Sequence, residues 1–176
     1  KDGQPVRKWV AEHVDRIDEI DPILSGVSPE AAIAVFRKGG RVNLSGHNGS
    51  DWGLQAYAVA RIAEIEANVA IEILAANGDH IVAHLSKLEE IDAEEFPIFL
   101  KLVSDLAPSL LTKFCSAINL QSAAEKWPRA TYVDRKEVRR GGRQVLKIIS
   151  ENSNGEIRRL AERLLARSSK KQVSSE

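Results

Sequence analysis

The chain has 176 residues, 43% of them hydrophobic and only 5% aromatic, and its 25 Lys and Arg balance its 25 Asp and Glu to a formal net charge of zero. One cysteine excludes an internal disulfide, and no run of about 18 apolar residues is present to cross a membrane, so a cytoplasmic protein is expected. A composition rich in Ala, Leu and Ile suits closely packed helices better than a β-sandwich, and the first Lys with no Met anywhere predicts a piece of a longer protein.

In chain order, Val6, Trp9, Val10, Val14 and Ile17 recur at three- and four-residue steps and predict an amphipathic helix over 6–20. Asp21-Pro22 through Gly26 breaks it, because proline disfavours helical backbone at the residue before it. Ser28 suits a helix cap, Pro29 the first helical position and Glu30 the positive helix end. Gly39-Gly40 is a stop, and residues 41–50 read as a polar loop. Ser50 or Asp51 is expected to cap the next helix, with Leu54, Tyr57, Ala58, Ile62 and Ile65 as its apolar face.

Asn77-Gly78 is the next stop, followed by a short helix carrying Ile81, Val82 and Leu85. Asp92 and Glu95 have capping-box spacing, with Pro97 tolerated in the first turn and Phe96, Phe99, Leu100, Val103 and Leu106 as the stripe. A short helix to Trp127 ends before Pro128. Asp134 opens a basic helix with Val138, Val145, Ile148 and Ile149, which Gly141-Gly142 is expected to interrupt. The last helix, Glu156 to about Arg167, places Ile157, Leu160, Ala161, Leu164 and Leu165 on one face; residues 168–176 are expected to be a disordered tail. No segment alternates long enough to predict a strand.

Three decapeptides organise this helical pattern: residues 27–36 (VSPEAAIAVF), 65–74 (IEANVAIEIL) and 106–115 (LAPSLLTKFC). Each sets a branched aliphatic residue two positions before Pro or Ala, and small or aliphatic residues follow. A recurrence of about 40 residues is the mark of stacked supersecondary units. The fold expected is all-α: a right-handed α-solenoid-like stack of helical repeats of about 40 residues, in one domain over 1–167 with basic terminal helices at 134–167. The unit length and the apolar-x-Pro opening resemble HEAT or armadillo-type repeats. More specifically, residues 27–127 resemble the helical repeats of large bacterial STAND-type nucleotide-binding proteins. The resemblance implies a protein-sensing or scaffolding module; the chain carries no phosphate-binding loop, so nucleotide chemistry does not come with it.

Among chemical constellations, His80 and His84 sit one helical turn apart, a spacing that can hold zinc. Ile81 stands where the H-E-x-x-H pattern needs its general base, and no third ligand is evident, so surface histidines are the expectation. The glycine-rich stretch 45–53 fits neither phosphate-binding pattern and reads as a connector, with His47, Asn48, Asp51 and Trp52 as candidate partner-binding residues. Nothing orients Ser45, His47 and Asp51 into a triad. Glu89-Glu90 and Glu94-Glu95 read as capping and solubility residues, and Cys115 as a buried, inert thiol.

Charge is uneven. Residues 129–176 hold 13 Lys and Arg against 6 Asp and Glu, while 1–128 hold 12 against 19. Lys136, Arg139, Arg140, Arg143 and Lys147 share one helical face, and Arg158 and Arg159 begin a second stripe. The expectation is therefore a non-enzymatic module without cofactor that binds a protein. A nucleic-acid-binding repeat using the basic helices is the first alternative, and a HEAT-like DNA repair enzyme the second.

Overall fold

A computed structural model describes residues 12–23, 27–44, 51–88, 93–121 and 135–173. Helix dominates them, as the patterning predicts: α1 (Pro29–Arg37), α2 (Trp52–Ala76), α3 (Gly78–Leu85), α4 (Glu95–Leu106), α5 (Pro108–Ala117), α6 (Arg135–Asn152) and α7 (Gly155–Val173). Backbone contacts group the chain into two compact units, Lys1–Ile81 and Val82–Glu176, and the boundary falls inside α3.

In the first unit, the Ser28 hydroxyl accepts from the Ala31 amide at 3.3 Å, so the predicted cap is made. The Glu30 carboxyl is held below its usual range, first by a backbone hydrogen bond and then by the Ser28 side chain. Gly39 takes φ +89°, the left-handed region that glycine enters without strain. Gly40 lets the chain turn tightly against α1, since a Cβ there would lie 2.7 Å from Val35 Cγ1.

The predicted helix over 6–20 is not continued through its described part. Val14–Arg16 is a short 3-10 turn, and β1 (Glu19–Ile20) pairs in parallel with β2 (Arg41–Val42). Asp18 and Ile20 carbonyls accept from the Arg41 and Asn43 amides at 2.7 Å each. Pro22 pushes the preceding backbone toward extended conformations, and burial of Ile20 and Val42 holds the pairing. The 41–50 loop thus begins as a strand, with Val42 and Leu44 buried. α1 packs on both strands and on α2.

Asn77 fastens this arrangement. Its buried amide donates to the carbonyls of Val42 and Ile73, both at 2.8 Å, and its Oδ1 accepts from the Leu44 amide at 3.1 Å. Its carbonyl accepts from Ile81, so one residue ends α2, starts α3 and pins the extension of β2. The predicted stop at Asn77-Gly78 is therefore also a bracket between elements distant in sequence.

In the second unit, α4, α5 and α6 pack on one another and α7 packs on α6. Phe96, Phe99 and Phe114 stack in series, with centroids 6.5 and 6.2 Å apart, around fully buried Leu100, Val103 and Leu111. Cys115 lies beside them, buried, and burial pushes its thiol up to about 12, as expected of an inert core sulfur. Gly141-Gly142 does not interrupt α6, which runs unbroken through both. A Cβ on Gly141 would collide with the Ala93 carbonyl oxygen, so the missing side chain permits a close helix–backbone approach. α7 also extends to Val173, past the predicted end at Arg167; helix replaces the expected tail over 168–173, and 174–176 lie outside the described residues.

The three decapeptides share a local conformation. The second residue of each is non-helical: Ser28 (φ −68°, ψ 150°), Glu66 (φ −145°, ψ 93°) and Ala107 (φ −144°, ψ 71°). Helix follows directly in all three. The sixth and ninth positions are buried in every copy, as Ala32 and Val35, Ala70 and Ile73, and Leu111 and Phe114. In the second copy that extended residue falls inside α2 and kinks it, so α2 is two helical segments joined at Glu66.

Candidate interaction surfaces

The first segment of α2, from Trp52 to Glu66, buries Trp52, Gln55, Ala56, Val59 and Ile62. Of the face that the apolar spacing predicts, Ile62 is buried here and Ala58 half-buried, but the other three residues turn outward. Leu54, Tyr57 and Ile65 are 52%, 66% and 46% exposed, on the opposite side. The segment is apolar around most of its circumference, so periodicity alone cannot choose between two faces; the large Trp52 decides, and takes Val59 and Ile62 inward with it.

The outward face therefore carries Leu54, Tyr57 and Ile65, with half-buried Ala58 between them. Its charged members are Arg61 and Glu64, which pair with each other. Large apolar side chains scattered singly over a surface are ordinary; three on one helix face within three turns form a patch. At the far end, Arg37 of α1 reaches the kink and donates to Glu66 at 2.6 Å.

Of the predicted partner-binding residues, Trp52 is buried in its own unit, 1% exposed, rather than presented to a partner. Asp51 is half-buried and precedes α2 without a side-chain capping bond; its carbonyl accepts from the Gln55 amide instead. His47 and Asn48 lie outside the described residues.

The basic surface belongs to α6 and α7. Arg140 and Lys147 are exposed and Arg143 is half-buried, while the side chains of Lys136 and Arg139 lie outside the described set. Lys147 pairs with Glu151 at 3.9 Å, Arg158 pairs with Glu162 at 3.1 Å, and Arg159 donates to the Gly155 carbonyl at 3.3 Å. A shallow groove of about 580 Å³ on α7 is lined by Glu156, Arg159, Glu162, Arg163 and Ala166. Two carboxylates against two guanidiniums leave its wall without net charge, so the groove is no cradle for a phosphate. On α6 and α7, exposed Arg140, Arg159, Arg163 and Arg167 make no direct salt bridge to a described carboxylate.

His80 is exposed and His84 half-buried on α3, and no cluster of three metal-binding side chains occurs among the described residues. Glu94 and Glu95 stand at the start of α4, and Glu89 and Glu90 lie outside the described set. No Asp or Glu is buried among the described residues, whose buried polar side chains are Gln55, Asn77, Ser150 and Ser153. A carboxylate desolvated for acid–base work is thus not among them. No helix among them is long and apolar enough to cross a membrane. No protein-family model, characterised protein or solved structure matches this chain.

Apolar spacing alone places Leu54, Tyr57 and Ile65 inward, which hides this patch in the sequence. One signal was available: the other side of the same helix offers Trp52, Ala56, Val59 and Ile62, an equally regular stripe with the larger ring.

Proposed function

We propose that this chain is a non-enzymatic helical-repeat module that binds another protein, and that the outward face of α2 is the binding surface. The observation that carries this reading is the exposure of Leu54, Tyr57 and Ile65 on one face whose charges, Arg61 and Glu64, neutralise each other. Such a face costs free energy in water and gains it on being covered, at roughly 25 cal/mol per Å² of apolar surface. Tyrosine at its centre combines a large apolar ring with a polar tip, the chemistry favoured in protein interfaces. The shared conformation of the three decapeptides supports the helical-repeat part of the reading.

The test is a photo-crosslinking amino acid placed at Tyr57, with Lys101, exposed on α4, as the control position. Protein adducts at 57 and not at 101 are expected. No protein adduct at 57 under native conditions overturns the reading.

Nucleic-acid binding through α6 and α7 is a second reading, favoured by Arg140, Arg163 and Arg167 in the basic third of the chain. Fluorescence anisotropy with labelled DNA and RNA at two salt concentrations tests it. Phosphate contacts would weaken with salt and with Arg163→Glu plus Arg167→Glu; no binding at low salt removes this reading.

A further inference from the structure

We propose that Asn154, in the connection between α6 and α7, is a site of spontaneous deamidation, at which the Gly155 backbone nitrogen closes on the asparagine side chain. The connection is Ser153 and Asn154 alone. Around it, two polar side chains are spent on the end of α6. Asn152 donates its amide to the Ile148 carbonyl at 2.9 Å, and buried Ser153 donates its hydroxyl to the Ile149 carbonyl at 2.5 Å. Asn154 differs: it is exposed, and its side chain makes no hydrogen bond to a described residue. Gly155 follows in left-handed backbone, φ +60°, and a Cβ built on it would meet nothing within 4 Å. As the first amide of α7, its N–H has no acceptor in its own helix.

The chemistry follows from that freedom. The Gly155 nitrogen gives up its proton to the solvent and attacks Cγ of Asn154. The bond from Cγ to the side-chain nitrogen breaks, and ammonia leaves. A five-membered succinimide ring now joins side chain to backbone. Water opens it by cleaving either ring C–N bond. Cleavage at Cγ leaves an aspartyl residue, and cleavage at the backbone carbonyl leaves an isoaspartyl residue, whose main chain is one methylene longer. In sum, one water is consumed and one ammonia released, with no oxidation. A side chain on the following residue would crowd the attacking nitrogen; glycine has none.

Both products act on α7. An aspartyl carboxylate at this place sits at the positive end of the helix, where it can accept from the free first-turn amides. An isoaspartyl residue lengthens the joint of a helix whose packing is chiefly on α6.

Asn77-Gly78 is the same dipeptide in opposite surroundings. Asn77 is 7% exposed, its amide nitrogen donates to the Val42 and Ile73 carbonyls, and its Oδ1 accepts from the Leu44 amide. Ring closure there requires those bonds to break first. Asn48-Gly49 lies outside the described residues. The fold, rather than the dipeptide, thus selects Asn154 over Asn77.

Peptide mapping by mass spectrometry, on the full chain held in warm, mildly alkaline buffer and sampled over weeks, tests this. The acid form is expected to build up about tenfold faster or more at 154 than at 77, because reaction at 77 waits on local opening. Part of the product at 154 should take a methyl label from a protein isoaspartyl methyltransferase. Asn154→Gln should stop the conversion, since its longer side chain must close a larger ring. In urea, where the protecting bonds are gone, the two sites should convert at matching rates. An Asn154 that keeps its amide as long as Asn77 does in the folded chain overturns the proposal. A lag at Asn77 that persists undiminished in urea overturns it too, because the fold would then not be what separates the sites.

Discussion

α2 and α6 are long helices, one in each unit, and they treat water in opposite ways. α6 buries Val145, Leu146 and Ile149 and turns Arg140, Lys147 and Glu151 outward. Its exposed side is solvated by charge and needs no cover. The first segment of α2 buries one apolar side and exposes another, softened by one ion pair. A charge-rich helix face is the ordinary way to meet solvent, even when it looks like a binding stripe in the sequence. An apolar outer face has no such explanation, so the surface worth testing lies in the half of the chain with less charge.

The two sides of α2 give the sharpest contrast. Trp52→Ala removes a fully buried ring and should destabilise the protein by about 3–5 kcal/mol, whereas Tyr57→Ala should stay within about 0.5 kcal/mol. Urea denaturation of both variants measures this. Equal losses would mean that the outer face is packed like the inner one, and the comparison with α6 would collapse.

Glycine and asparagine test what holds each unit. Gly141→Ala places a methyl against the Ala93 carbonyl oxygen, a backbone atom that cannot rotate away. A loss of about 2–3 kcal/mol is expected, although alanine is the better helix former by about 1 kcal/mol. An unchanged or raised Tm would show that α6 does not need this approach. Asn77→Leu removes the donor to Val42 and the acceptor for Leu44 and leaves buried backbone groups unpaired, a cost of roughly 2–3 kcal/mol. Asn77→Asp keeps the acceptor for the Leu44 amide and should lose the two donated bonds alone, apart from the cost of its new charge. Amide hydrogen exchange at Leu44 separates these cases: fast in Asn77→Leu, slower in Asn77→Asp.

These positions show where the sequence was readable. Ser28 made its cap, because a cap is decided by residues within one turn. Pro29 was likewise legible as the first residue of a helix, since proline acts on the backbone beside it; the start at Pro108 follows the same rule but was not foreseen. The β1–β2 pairing was not legible as a pair, because it joins segments separated by α1; only the alternation of buried Val42 and Leu44 with Arg41 and Asn43 hinted at a strand. Gly141 was read as a break because its reason lies in Ala93, far away in sequence. The candidate surface was missed for a related reason. Apolar periodicity reports that two faces are greasy, and long-range packing decides which one is outside.

The smallest effect concerns the kink that ends the α2 patch. Arg37 is 63% exposed and Glu66 29%, so their ion pair should contribute at most about 1 kcal/mol to stability, and Arg37→Ala should lower it by that much or less. The backbone at Glu66 is extended rather than strained, so the kink does not depend on the pair. Its cause is the second position of the decapeptide, which is non-helical in all three copies, including the two that have no such arginine partner at that residue, Ser28 and Ala107. Arg37→Ala should therefore leave the far-UV circular dichroism of the chain unchanged while removing the salt dependence of its stability at this site. If the substitution instead lowers the helical content, then the arginine holds the kink, and the face that opposes α6 in character is held in place from α1 rather than by its own helix.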